Sequence, residues 1–156
     1  MLALVAAVSL ASCAFDHAHY VLRGDPQVTA DFRPIDSGGD WPAGLAVRIR
    51  FGKSARAYWF LPWDGGTDGL QHLASTTDVE QPGWRPPSPD GGPRPLGDID
   101  YIGTDRGYRV LDAAPHRSAP AAAHMLLPNL GDRTWHANFD AAPKQFFDLT
   151  GCPKGR

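Results

Sequence analysis

Six histidines and a few closely spaced aspartates are the side chains of this chain best suited to chemistry. Asp64-Gly65-Gly66-Thr67-Asp68-Gly69 puts Asp64, Asp68 and Gly69 at positions one, five and six of a helix-loop-helix calcium loop. Gly66 stands at position three and Ser75 at position twelve, so most of the carboxylate charge that holds Ca²⁺ is missing. The segment reads as a solvated turn. Asp98 and Asp100, two apart, share one face of a strand. That spacing suits acid–base or metal chemistry, but a charged pair guarding a sheet edge is the simpler reading. The histidines, His17, His19, His72, His116, His124 and His136, include neither an H-x₃-H nor an H-E-x-x-H spacing. No metal site and no cofactor is therefore predicted. There is no G-x-S-x-G, and Gly52-Lys53-Ser54 lacks the upstream glycine of a phosphate loop. A hydrolase with Asp and His groups assembled by folding stays open as the alternative function, because such sites need not be local in sequence.

The elements that must carry these groups are mostly strands. Leu45, Val47, Ile49 and Phe51 alternate with polar Arg48 and Arg50, and after Gly52-Lys53-Ser54-Ala55 comes the aromatic run Ala57-Tyr58-Trp59-Phe60-Leu61. Period two around a short glycine-containing loop predicts a β-hairpin. Val28, Ala30 and Phe32 alternate in the same way. A second hairpin is predicted from Asp98–Ile102 and Tyr108–Leu111 around a Gly/Asp turn, and a third pair from Met125–Leu127 and the alternating Trp135, Ala137 and Phe139. Gln145–Leu149 is expected to close the sheet, and Leu70–Ser75 is ambiguous between helix and strand. From Pro82 to Pro95 six prolines and Gly91-Gly92 exclude a helix or a central strand. A second loop covers Ala113–Ala123, with room for a helical turn at Ala119–Ala123. The fold class that results is all-β, a single antiparallel sandwich or small barrel with long Pro/Gly-rich loops.

Tyr58, Trp59 and Trp63, with Asp64 beside them, are the candidate binding residues. Alternation puts Tyr58 and Phe60 on one face and Trp59 and Leu61 on the other, so a sheet covered on one side leaves an aromatic face for a sugar or a protein partner. The competing reading buries both faces in the core.

The chain opens with the apolar run Leu2–Leu10 followed by Leu10-Ala11-Ser12-Cys13. An apolar segment of this kind ending in small residues reads as an export signal. Leu2–Phe15 is shorter than the roughly 18–20 residues that a spanning helix needs. Leu-Ala-Ser-Cys resembles the lipobox of bacterial lipoprotein precursors. The resemblance implies cleavage before Cys13, a lipid on Cys13, and, with Ala14 rather than Asp next, the outer membrane of a Gram-negative cell. It divides the chain into a signal peptide at 1–12, a lipidated N-terminus and tether at 13–24, and one β domain at 25–152. Ordinary cleavage after Ala14, giving a soluble periplasmic or secreted protein, is the alternative. With Cys13 lipidated or removed Cys152 is left single, and a Cys13–Cys152 disulfide is possible only if the signal reading fails. With 15 basic against 17 acidic groups the chain offers no electrostatic case for nucleic acid. The function expected is a cell-envelope binding or accessory module, attached to the membrane through its lipid and contacting an envelope protein or a glycan.

Overall fold

The computed structural model describes residues 13–63 and 71–153. Eight antiparallel strands, each paired with the next in sequence, form a closed barrel: β1 (His19–Leu22), β2 (Val28–Pro34), β3 (Leu45–Phe51), β4 (Arg56–Trp63), β5 (Gln71–Thr76), β6 (Asp98–Thr104), β7 (His124–Leu126) and β8 (Phe147–Gly151). Closure is made where β8 pairs with β1, Leu22 opposite Phe147 and Tyr20 opposite Leu149. The expected all-β class is what forms, as a barrel. The described part of the ambiguous segment, Gln71–Ser75, lies in β5, and the end of the segment expected to close the sheet does so as part of β8.

Alternation fixes which side chains fill the interior. Tyr20, Ala30, Ile49 and Tyr58 stand in one row across β1 to β4, and Phe32, Val47, Phe60 and Ser75 in another across β2 to β5. Gly103, Met125, Phe147 and Leu22 continue the lining from β6 round to β1. Nearly all are buried and belong to one apolar cluster. In an eight-stranded barrel such side chains occupy the space that wider barrels leave for ligand. Gly103 makes room for a neighbour: a Cβ there would lie 2.5 Å from the Tyr101 hydroxyl.

Both ends are covered. At the end where β3 turns into β4, helix α1 (Leu130–Asn138) buries Leu130 and Thr134, one turn apart. Tyr58 Oη donates to Asp140 at 2.5 Å just beyond that helix, and Thr134 Oγ1 donates to the Asp140 carbonyl at 2.8 Å. At the opposite end, near Phe32, the chain enters through a 3₁₀ turn at Phe15–His17 whose Phe15 ring meets Phe32 at 5.0 Å. Phe15 N–H donates to the Ala119 carbonyl and Ala121 N–H to the Cys13 carbonyl. Residues 13–24 are therefore part of the barrel and its cover, not a tether, because Phe15, Ala18, Tyr20 and Leu22 are apolar and buried. Cys13 is 5 % exposed, and its sulfur is bonded to that of Cys152 across a Cα–Cα distance of 5.6 Å, within the usual disulfide range.

A second apolar cluster lies on the outside of the barrel. Trp41, Ala46, Trp59, Leu61 and Ala74 form it, with Ile35, Trp63, Val79 and Trp84 packed against it. The proline-rich loop is thereby anchored: Trp41 Nε1 donates to the Pro87 carbonyl at 2.8 Å, and the Arg94 guanidinium lies 5.2 Å from the Trp41 ring centroid.

Two predicted strand pairs do not form. Of the alternating strand expected at 135–139, residues 135–138 are helical, the last part of α1; Leu130 and Thr134, four apart, give the inward stripe that the alternation obscures. The second hairpin loses its return strand, since β6 pairs with β7 and residues 108–111 keep only an isolated bridge from Thr104 to Val110. Tyr108 has φ of 62°, a left-handed conformation that no regular strand accepts. Ala119–Ala123 makes hydrogen bonds to the N-terminal segment in place of the helical turn.

Gly131 packs so closely that a Cβ would fall 2.2 Å from the Ala142 carbonyl oxygen. Gly131→Ala is expected to destabilise the protein by roughly 1–3 kcal/mol, the usual cost of overpacking a tight contact. Urea unfolding followed by tryptophan fluorescence measures it; an unchanged midpoint would contradict this packing.

Candidate functional site

Three histidines sit directly across a strand pair from an aspartate, all on outward-facing positions. His19 opposes Asp31, His72 opposes Asp100, and His124 opposes Asp148. In each case Nδ1 approaches a carboxylate oxygen, at 2.5, 3.2 and 2.7 Å respectively. Opposed side chains in an antiparallel pair lie close enough to interact, and opposite charges there stabilise the pairing. The sequence spacings, 12, 28 and 24 residues, carry no hint of this.

His19–Asp31 belongs to a surface ion network. Arg48 reaches Asp31 at 3.5 Å and Glu80 at 3.8 Å, and Arg33 also pairs with Glu80. Arg48 lies over the Trp59 ring, 5.7 Å from its centroid. These contacts attach the loop carrying Glu80 to the barrel wall. Asp98 and Asp100, on one face as expected, are drawn to different partners: Arg94 Nε lies 3.5 Å from Asp98, while Asp100 meets His72. They work as separate structural charges.

His124–Asp148 is the more elaborate arrangement. The Arg23 guanidinium, just past β1, grips Asp148 with both oxygens, Nε to Oδ2 at 3.0 Å and Nη2 to Oδ1 at 2.7 Å. Nη2 also donates to the Tyr108 hydroxyl at 2.7 Å. The Tyr108 ring stacks on the His124 ring, 4.4 Å apart and 7° from parallel, and Phe146 closes on both edge-on. Tyr108 thus reaches back over the barrel wall, which accounts for its strained φ. Asp148 is held below the usual carboxylate range, chiefly by the hydrogen bonds from Arg23, with His124 adding to the effect and burial opposing it. With Nδ1 committed to Asp148, the imidazole is fixed in orientation and presents Nε2 as its working atom. No hydroxyl or thiol among the described residues hydrogen-bonds that nitrogen. Thr104, directly across from His124 on the other side and 2 % exposed, has a hydroxyl with no hydrogen-bond partner among the described residues.

His124 lines an open groove of about 470 Å³, a size suited to a small molecule. Leu111, Pro120, Ala121, Ala123 and Leu149 give it an apolar surface, and Asp105 and Arg106 stand at its side. Asp105 Oδ1 accepts from the backbone N–H groups of Gly107 and Arg109, which shapes the turn.

The aromatic candidates turn out otherwise. Trp59 is 5 % exposed beneath the loops of the outer cluster and is not free to stack on a ligand. Trp63 packs against the same cluster, its ring 6.4 Å from that of Trp41. The Tyr58 ring meets Phe51 edge-on inside the barrel end, while its hydroxyl is tied to Asp140 and receives a hydrogen bond from Asn138. Burial, reinforced by the Asp140 carboxylate, pushes the Tyr58 phenol up to about 12. Burial also works against the charge on Asp140, but hydrogen bonds from Tyr58 and Ser54 and the neighbouring Arg56 outweigh it and hold that carboxyl low. Asp64 and the calcium-like turn lie outside the described residues. Among the described residues the large apolar side chains that are exposed are Tyr108, Val110, Leu111, Trp135 and Phe139, none of them in the predicted aromatic strand. Cys13, the expected lipid attachment point, has its sulfur engaged by Cys152, and one sulfur cannot hold both a lipid and a disulfide. Among the described residues no three His, Cys, Asp or Glu side chains converge as metal ligands.

Because the folded state holds the Asp148 carboxyl below its unfolded value of about 3.9, the charged pair adds stability above that pH. The contribution is lost as pH falls through the lower folded value. Asp148→Asn is expected to lower the melting temperature at pH 7 and to blunt its fall below about pH 4. Equal losses of melting temperature at pH 7 and pH 3 would contradict the assignment. No family model, curated protein or solved structure matches this chain.

Proposed function

We propose that this protein is an exported cell-envelope binding module, a rigid barrel whose contacts are made at its rim and outer wall rather than inside it. The observation that carries the reading is the Cys13–Cys152 disulfide, which joins the two ends of the described chain. Such bonds persist in oxidising compartments and are rare in the cytosol, and the apolar, small-residue segment ahead of Cys13 is in keeping with export. The filled interior supports surface recognition. Tyr108, Val110 and Leu111, exposed together on one loop, are suited to a protein partner. Retention in the envelope through a lipid on Cys13 is the variant of this reading that the resemblance to lipoprotein precursors favours. It requires Cys13 unpaired, and a cut after Ala14 would remove Cys13, so we take as the main state a soluble, disulfide-bonded form that keeps Cys13. Intact mass of the native protein from membrane and soluble fractions tests the choice. The expected result is an unacylated chain in the soluble fraction that gains two hydrogens on reduction. An acyl-bearing chain in the membrane would establish the lipid-anchored form instead, and a reduced cytosolic chain would overturn export.

A hydrolase is the second reading, favoured by one observation: Asp148 orients His124 as it would a general base. With no nucleophile on Nε2, such an enzyme would have to activate water. The binding reading predicts that p-nitrophenyl acetate is cleaved no faster by the protein than by His124→Gln. A loss of about a hundredfold or more in the variant, the scale of general-base catalysis, would instead establish the enzyme.

A further inference from the structure

The groove beside His124 combines a fixed imidazole, an unengaged cation and an apolar surface, and these three together define a ligand. The charge is the first constraint. Asp148 has both oxygens taken by Arg23 and one of them also by His124, so that carboxylate is already compensated. Asp105 is engaged through Oδ1 with the backbone of its own turn. Arg106 lines the groove, is exposed, and makes no ion pair or hydrogen bond through its side chain among the described residues. Arg106 is therefore the charged side chain of the groove left free to take an anionic head, with the Asp105 carboxylate held in its own turn beside it. The second constraint is apolar: Leu111, Ala121 and Leu149 offer a surface that a hydrophilic anion such as inorganic phosphate would leave unused. We propose that this groove binds a small amphipathic carboxylate, its chain on Leu111, Ala121 and Leu149 and its head on Arg106 and Nε2 of His124.

The proton balance follows from the geometry. Nδ1–H of His124 stays on Asp148, so Nε2 can donate to a carboxylate only by taking up one proton as the ligand binds.

The inference deepens the binding-module reading and is tested on the full oxidised chain with octanoate as the probe, followed by ¹H–¹⁵N correlation spectra. Saturable shifts at Arg106, Leu111, Ala121, His124 and Leu149 are expected, with octanol and acetate each binding about tenfold or more weakly, since one loses the charge-assisted contact and the other the apolar one. Arg106→Ala, a change at an exposed and unpaired side chain, should weaken octanoate about tenfold or more. Arg50→Ala, on the wall of β3, should leave it unchanged. Equal affinity for octanol, full affinity in Arg106→Ala, or shifts confined to another part of the barrel would each overturn the proposal. None of these outcomes bears on export, which stands or falls on the native mass and redox state.

Discussion

Closure of the sheet between β1 and β8 is the constraint on which the rest of the molecule depends. An open eight-stranded sheet would leave two rows of unpaired N–H and C=O groups, and pairing Leu22 with Phe147 removes both rows at once. It also brings the first described residues of the chain against the last, although they are 139 positions apart. The Cys13–Cys152 bond is a consequence of that proximity, and it reinforces its cause. A cross-link closing so long a loop stabilises by about 5 kcal/mol in the chain-entropy account.

Closure makes an inside, and the inside decides what the protein can bind. Aromatic and aliphatic rows from all eight strands meet in the centre, so recognition is displaced to places where loops fold back on the wall. Among the described residues there are two such places, and they differ in character. Over β3, β4 and β5 the proline-rich loop and Trp41 seal an apolar patch with Trp59 beneath. Over β7 and β8 the 105–111 loop instead carries Tyr108 onto His124 and leaves a groove beside it. The first is a covered seam. The second keeps a polar atom of fixed orientation facing open space, which is why it carries the functional argument.

The three histidine–aspartate pairs illustrate how a regular sheet can produce differing roles from one local geometry. Each begins as a directly opposed cross-strand pair. What surrounds it then differs: Arg48 and Glu80 absorb His19–Asp31 into a surface network, whereas Arg23, Tyr108 and Phe146 brace His124–Asp148 at the edge of a groove. The pairing register supplies the dyad, and the covering loops decide whether it is buried in other charges or left to act.

Local patterning determined the strands. Period-two alternation at 28–32 and 45–51, and the turn chemistry at 52–55, specify β2, β3 and β4 because a half-buried strand imposes that period on its own residues. The prolines of 82–95 likewise exclude regular structure without reference to anything distant. Alternation failed at 135–139, where helix α1 is selected by Leu130 and Thr134 sealing the barrel end, and at 108–111, where Tyr108 is drawn to Arg23 and His124. Cys13 shows the same limit most sharply, since its neighbours in sequence point to a lipid while its neighbour in space is Cys152. Sequence settles what depends on the next few residues. The partners of Cys13, His124 and Asp148 depend on which strands become neighbours when the sheet closes, and only the tertiary structure decides that.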